Sequence, residues 1–253
     1  AIKYKLNRIV LNQGGNVEII IQGKESQIQL FFECLKADNH QSYEVITMKI
    51  EEWTGEYFAC FRIEISDRNQ EVAVLPPDLP TCPECERELL DPKNRRYLNP
   101  FTSCMCCGPR YTIMKELPYD RNTTIMDEFP MCERCQVEYS HPENRRFHAQ
   151  TISCHDCGPY LKFLTSDGEQ VERQNALSQA ISSLKSGKVI AVKGIGGFHY
   201  VCSPYLEETV RDLRQIKGRD KKPFAVMFEN IEQIREQCEC SLKEEELLRS
   251  KAR

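Results

Sequence analysis

Eight of the fourteen cysteines in this 253-residue chain fall into four Cys-x-x-Cys pairs: Cys82/Cys85, Cys104/Cys107, Cys132/Cys135 and Cys154/Cys157. A turn of that spacing aims two sulfurs at one ion, and two such turns complete a tetrahedral zinc site with each sulfur about 2.3 Å from the metal. Gly108 and Gly158 follow the second turn of each set and let the backbone curl without a Cβ clash. Residues 82–109 and 132–159 agree at 12 of 28 positions, at a constant offset of 50. The shared phrases include Pro92/Pro142, Asn-Arg-Arg at 94–96 and 144–146, and a closing Ser-Cys-x-x-Cys-Gly-Pro. This is an internal duplication, and it predicts two structural zinc ions, each held by four cysteines. Four arms can be joined in three ways. Duplication favours pairing within each repeat, and a crossed arrangement of outer with outer and inner with inner arms is the alternative. A closed shell of four thiolates leaves no position for a substrate, so the expected role of these ions is structural.

His141, His148 and His155 lie near the second set in sequence, but His148 aligns with Leu98, so the duplicated plan does not require it as a ligand. Cys34, Cys60, Cys106, Cys202, Cys238 and Cys240 are scattered and read as small hydrophobes. The first residues, AIKYKLNRIV, lack the apolar core of a secretory signal, and no apolar run approaches the ~20 residues that cross a bilayer. Paired cysteines in such a chain predict a reducing compartment, the cytoplasm, and no membrane partner. The net charge is −4, and residues 82–157 hold 10 Lys/Arg against 12 Asp/Glu. Phosphate neutralisation needs a basic surface, so nucleic acid is not an expected partner. Arg95/Arg96 and Arg145/Arg146 are expected to make internal ion pairs and carbonyl contacts.

The elements around this module predict an α+β multidomain chain. Residues 17–23 read as a strand, and 24–37 as a helix with Ile28, Phe31, Phe32 and Leu35 on one face. Residues 43–53 and 57–65 read as further strands, and the proline-rich run 75–80 as a boundary. After the cysteine region, 166–170 makes a turn. A helix follows, with Leu177, Ile181 and Leu184 inward and Gly187 as its stop. Residues 189–193, 198–202 and 224–228 read as buried strands, with a helix over 205–217. The charged helical pattern at the end carries no stop signal and is expected to break off inside a domain.

The spacing, together with RRY, CGPRYTI, LPYDRNTT (117–124) and RRFHAQ (145–150), resembles the HypF family, the carbamoyltransferases that mature nickel–iron hydrogenases. That resemblance implies a ferredoxin-like, acylphosphatase-like unit over 1–75, the duplicated four-cysteine module over 76–163, and an incomplete YrdC-like α/β domain over 170–253. It implies that carbamoyl phosphate is cleaved and that ATP, with Mg²⁺, activates the carbamate as carbamoyl adenylate. The carbamoyl group then passes to the C-terminal cysteine of a HypE-like acceptor protein, on its way to an iron cyanide ligand. In the acylphosphatase-like unit, Asn12 stands where the family's catalytic asparagine orients water. The arginine-bearing phosphate loop of that unit is missing from this sequence, so the unit alone is not expected to hydrolyse acyl phosphates.

VKGIGGFHYVC (192–202) and IKGRDKKPFAVM (216–227) match the YrdC-like pattern. Residues 211–222 hold six basic groups against two acidic ones. Lys193, Lys217, Arg219, Lys221 and Lys222 are therefore the candidates for neutralising a triphosphate. The plainer alternative is that 217–222 form a solvated turn, and His199 an ordinary strand residue. GIGG lacks the spacing of a dinucleotide fingerprint. Two further readings compete: a zinc-stabilised scaffold without catalysis, and a YrdC-type enzyme making threonylcarbamoyl adenylate.

Overall fold

The computed structural model describes residues 4–13, 16–37, 47–59, 62–63 and 78–250. They form two compact units, Ala1–Pro159 and Tyr160–Arg253.

The first unit opens with a hairpin of β1 (Asn7–Gln13) and β2 (Asn16–Gln22), paired antiparallel from Asn7↔Gln22 to Gln13↔Asn16. β1 is not among the expected strands. Its signal is there, since Gly14-Gly15 between two apolar runs is hairpin chemistry. Helix α1 (Glu25–Ala37) then lays down Phe31, which is buried with Leu6 and Ile9, while Ile28, Phe32 and Leu35 are half-buried on the same face, as expected. A short β3 (Arg62–Ile63) runs parallel to β1, giving the order β2-β1-β3.

The expected strand over 43–53 does not form in its described part, 47–53, and residues 57–59 are also irregular. Side chains anchor this stretch in place of a ladder. Gln22 Nε2 donates to the Glu56 carbonyl at 2.8 Å, Gln22 Oε1 accepts from Phe58 N at 2.7 Å, and Asn7 Nδ2 donates to the Tyr57 hydroxyl at 2.8 Å. The remaining residues of those two expected strands, apart from Arg62 and Ile63, lie outside the described residues.

The cysteine region contributes two eight-residue helices at equivalent places, α2 (Pro83–Leu90) and α3 (Glu133–Ser140), each starting directly after the first cysteine of its repeat. Pro83 suits the first helical position, where no N–H is needed. The repeats also share a left-handed residue that is not glycine. Leu98 has φ 54° and His148 φ 53°, and their amides donate to Leu89 O and Tyr139 O, both at 2.9 Å.

The second unit begins with a hairpin, β4 (Lys162–Leu164) and β5 (Gln170–Glu172), joined through the expected turn with Gly168 at φ 90°. Helix α4 (Arg173–Lys185) ends at Gly187, φ 77°, whose amide donates to Leu184 O at 3.1 Å. Its buried residues are Ala176 and Ser183, whereas Ile181 is exposed. Leu177 and Leu184 are half-buried, so the inward face is rotated from the expected one only far enough to leave Ile181 outside.

β6 (Ile190–Lys193) and β7 (Phe198–Val201) pair antiparallel from Ile190↔Val201 to Lys193↔Phe198. They were expected to be buried, but every residue except Ile190 is exposed, since the two strands pair with no third strand among the described residues. Residues 224–228, expected as another strand, are irregular. Helix α5 (Glu207–Lys217) forms as expected and ends at Gly218 in the left-handed conformation. Two more helices follow, α6 (Ile231–Gln237) and α7 (Leu242–Arg249). A capping box between Ser241 and Glu244 starts α7, and Ser250 ends it.

The rotated face of α4 sets a test. Ala176→Leu is expected to cost about 1–3 kcal/mol by overpacking, whereas Ile181→Ala stays within about 1 kcal/mol. Urea unfolding followed by circular dichroism reads both.

Candidate metal centre

The eight cysteines gather within repeats: Cys82, Cys85, Cys104 and Cys107 in one cluster, Cys132, Cys135, Cys154 and Cys157 in the other. This selects one of the three possible pairings and excludes the crossed one. Within each cluster all sulfurs lie within 4.8 Å of one another. The Cys82–Cys104 and Cys104–Cys107 sulfurs are 3.6 and 3.9 Å apart, and the Cys132–Cys154 and Cys154–Cys157 sulfurs 3.8 and 3.7 Å. A tetrahedron with arms of about 2.3 Å has edges of about 3.8 Å, so the donor set fits zinc in both places. In each cluster the first cysteine is half-buried and the other three are buried.

The backbone shapes these clamps as the sequence requires. Cys82 Sγ accepts from Cys85 N, and Cys107 Sγ from Cys82 N, both at 3.4 Å. Gly108 sits at φ 68° and Gly158 at φ 154°, conformations that side chains disfavour, and a Cβ on Gly158 would lie 2.5 Å from that of Ser153. Four sulfurs held this close cannot all ionise unaided. The Cys107 and Cys85 thiols and burial push Cys104 up, and burial and the Cys157 and Cys154 thiols push Cys135 up. A bound cation reverses this by favouring thiolates.

Positive charge also comes from the protein, and it comes crosswise. Arg145, in the second repeat, donates from Nη2 to Cys85 Sγ at 3.1 Å and from Nη1 to Cys82 Sγ at 3.8 Å. Arg95, in the first repeat, donates from Nη2 to Cys135 Sγ at 3.2 Å and Cys132 Sγ at 3.6 Å. Their neighbours Arg96 and Arg146 are buried, and donate through Nε to Ser153 O at 2.9 Å and Ser103 O at 3.0 Å. Glu138 accepts from Arg95 at 2.8 Å and Arg96 at 2.6 Å. Glu88 accepts from Arg145 at 2.9 Å and also pairs with Arg146. Burial alone would raise the Glu88 carboxyl, but Arg146 and Arg145 hold it down at about 2, and Glu138 is lowered in the same way, chiefly by Arg96. The arginines thus make the internal pairs and carbonyl contacts expected of them. Sequence reasoning passed over their partners, although Glu88 and Glu138 are themselves one of the matched positions of the duplication.

The segment between the repeats is held by Arg121 of the LPYDRNTT motif. Its guanidinium donates to the carbonyls of Gln150, Ile152 and Phe129 at 2.8, 3.1 and 2.6 Å. The histidines stay outside the clusters. His148 packs its ring against Tyr139 and Phe147, His155 Nε2 lies 2.8 Å from Tyr97 O, and His141 Nδ1 accepts from Glu143 N at 3.3 Å.

The other candidate residues sit elsewhere. Asn12 lies on β1 opposite Val17, and its side chain is outside those described. Lys193 does not end a buried strand facing a cleft. It stands on the exposed ribbon, with Nζ 4.9 Å from the Phe198 ring centre. Lys217 Nζ is 5.4 Å from the Tyr200 ring centre. Phe198 and Tyr200, two apart on β7, share a face, so both lysines come to one face of the ribbon. Arg219, Lys221 and Lys222 lie on the exposed loop after α5. That loop wraps Arg214, whose Nη1 donates to the carbonyls of Arg219, Asp220 and Lys222 at 3.0, 3.4 and 3.2 Å, and whose guanidinium lies over Phe224. Arg214 was not a predicted site residue. His199 lies on exposed β7, close over Gly194.

Two thiolate clamps bonded crosswise by arginines define a protein built around a doubled zinc-finger module. Comparison with known proteins agrees. A family model described as "HypF finger" matches residues 81–114 and 131–164, and one described as "Telomere recombination" (Sua5/YciO/YrdC) matches 182–253. The carbamoyltransferase HypF of Synechocystis is 47% identical over 98% of this chain, and the probable carbamoyltransferase HypF of Methanocaldococcus jannaschii 46% identical over 90%. The chain spans 32% and 30% of those relatives' own lengths. A crystal structure of full-length HypF in the phosphate- and nucleotide-bound form aligns with a TM-score of 0.87 at 37% identity, covering 99% of this chain and 33% of that one. Over the region that it spans, the chain is similar to the HypF carbamoyltransferases in both sequence and structure.

The Glu88 network has a pH signature. Its folded carboxyl, held at about 2, lies below the ordinary 4.5, so its contribution is complete above pH 4.5 and is lost as the pH falls from there toward 2. Glu88→Gln removes the nearer counter-charge of buried Arg146, leaving it only Glu138 at 3.8 Å, and is expected to cost about 3 kcal/mol. It should also flatten the acid limb of the stability curve between those two pH values, as measured by denaturant unfolding. Cys107→Ser removes one ligand and should reduce the zinc content from two ions per chain to one or fewer, read by metal analysis after gel filtration.

Proposed function

We propose that this sequence forms the zinc-held part and part of the nucleotide-handling site of a carbamoyltransferase acting in nickel–iron hydrogenase maturation, in the cytoplasm. The observation that carries the reading is the convergence of Lys193 and Lys217 on the Phe198–Tyr200 face of the ribbon, within the residues matched by the Sua5/YrdC model. Two ammonium groups above an aromatic surface suit a nucleotide, whose base stacks and whose phosphates need cations. The names of the relatives and the nucleotide-bound HypF structure support the same assignment.

The proposed organisation is an acylphosphatase-like unit over 1–75, the zinc module over 76–163 and a YrdC-like domain over 170–253. Carbamoyl phosphate yields carbamate and phosphate, with Asn12 orienting the water. A carbamate oxygen attacks the α-phosphorus of ATP, releasing pyrophosphate and leaving carbamoyl adenylate. The acceptor is the C-terminal cysteine of a HypE-like protein, whose sulfur takes the carbamoyl group as AMP departs. Lys193 and Lys217 hold the phosphates together with Mg²⁺. Arg219, Lys221 and Lys222 add positive potential from the neighbouring loop. The two zinc ions take no part in these steps, because their shells are closed.

Exchange of labelled pyrophosphate into ATP tests this on the polypeptide that carries the sequence. Exchange is expected only with carbamoyl phosphate present, and Lys217→Ala should lower it by about tenfold or more. Exchange indifferent to carbamoyl phosphate, or unchanged in the variant, would contradict the assignment.

A further inference from the structure

Each metal cluster is completed by the other repeat. Arg145, the second repeat's arginine, is the one that donates to Cys85 and Cys82, and the first repeat's Arg95 is the one that donates to Cys135 and Cys132. The bonds that place these two arginines are also exchanged. Arg145 is held by Glu88 on α2, the helix that carries Cys85, and Arg95 by Glu138 on α3, the helix that carries Cys135. The backbone joins in, because Arg145 O accepts from Met105 N at 3.3 Å, between Cys104 and Cys107. So do Thr151 Oγ1 with Ser103 Oγ at 2.8 Å, and Ser153 Oγ with Phe101 O at 3.2 Å.

A shell of four thiolates around one Zn²⁺ carries two surplus negative charges, and N–H···S bonds from an arginine stabilise that charged shell more than they stabilise four neutral thiols. Closing either shell therefore fixes an arginine whose own backbone and neighbour belong to the opposite repeat. Arg145 fixed on the first cluster orders 145–146 and, through Arg146 on Ser103 O and Glu88, the seam between the repeats. Arg95 does the same in the other direction.

We propose that the two zinc sites are coupled positively through Arg95 and Arg145, so that the module is populated with two ions or with none, and that these arginines are positioning residues acting in trans. The inference rests on the zinc reading of the clusters and is independent of the carbamoyl chemistry.

Native mass spectrometry of the reduced, zinc-loaded chain, equilibrated with enough chelator to remove half the metal, tests it. Independent sites of equal affinity leave about half of the molecules with a single ion, and unequal sites leave more, whereas coupling of about tenfold lowers that species to about a quarter. The expected result is a one-zinc population at or below that quarter. In the Arg95→Gln/Arg145→Gln variant, which keeps all eight cysteines, it should return to about half or more. A wild-type one-zinc population of half or more would overturn the coupling, whether or not the variant folds. Cooperative loading that survives in a folded variant would overturn the arginine route. A chain that binds no zinc at all would instead overturn the metal reading beneath both.

Discussion

The structure of the cysteine region depends on one constraint: four buried sulfurs must sit within a zinc tetrahedron's edge of one another, with their negative charge balanced. Burial and mutual proximity push thiols such as Cys104 and Cys135 toward protonation, so holding all four as thiolates requires positive charge at the centre and around it. The centre is the place of the ion. The surroundings are Arg95 and Arg145, and they can reach the sulfurs only if the two repeats pack face to face. The short helices α2 and α3 follow from this, since each carries one ligand and the glutamate that positions the arriving arginine. The residue pairs left over, such as Arg96 with Ser153 O and Arg146 with Ser103 O, close the same seam.

The module therefore obtains its stability with few apolar residues. Its buried clusters are the cysteines themselves with Ala149 and Ile152, and metal–thiolate bonds and charge-assisted hydrogen bonds replace an ordinary core. Closed shells of this kind suit a part that must hold its shape while chemistry proceeds elsewhere. The exposed ribbon of the second unit is the opposite case. Its aromatic face, Phe198 and Tyr200, is open and is attended by two lysines, the composition expected of a surface that meets a charged ligand.

The cysteine ligands and the glycine turns were legible in the sequence because spacing carries them, whereas their grouping by repeat was favoured by the duplication and decided only by the structure. The internal use of the arginines was legible in kind, and its crossing was not. An offset of 50 says that two residues play the same part, but not that each plays it for the other copy. Glu88 and Glu138 were visible as a matched position and passed over, because glutamates on short polar helices are usually solvated. Elsewhere periodicity misled where burial was set by neighbours. Large residues pointed to Leu177, Ile181 and Leu184 as inward; the first and last are half-buried, but the buried positions are Ala176 and Ser183 and Ile181 is exposed. The apolar runs at 190–193 and 198–201 suggested buried strands, and the two-stranded ribbon leaves them open. Residues 47–53 and 57–59 looked like strand, but both are irregular, and the side chains of Gln22 and Asn7 hold residues 56–58 without a ladder.

The central claim is that each repeat closes its own four-thiolate zinc shell. Zinc K-edge X-ray absorption of the purified, reduced chain tests it most directly. The account predicts two zinc ions per chain and a first shell of four sulfurs at about 2.3 Å, with no nitrogen or oxygen component. A shell containing histidine nitrogen or water oxygen, or a content of one ion per chain, would contradict it.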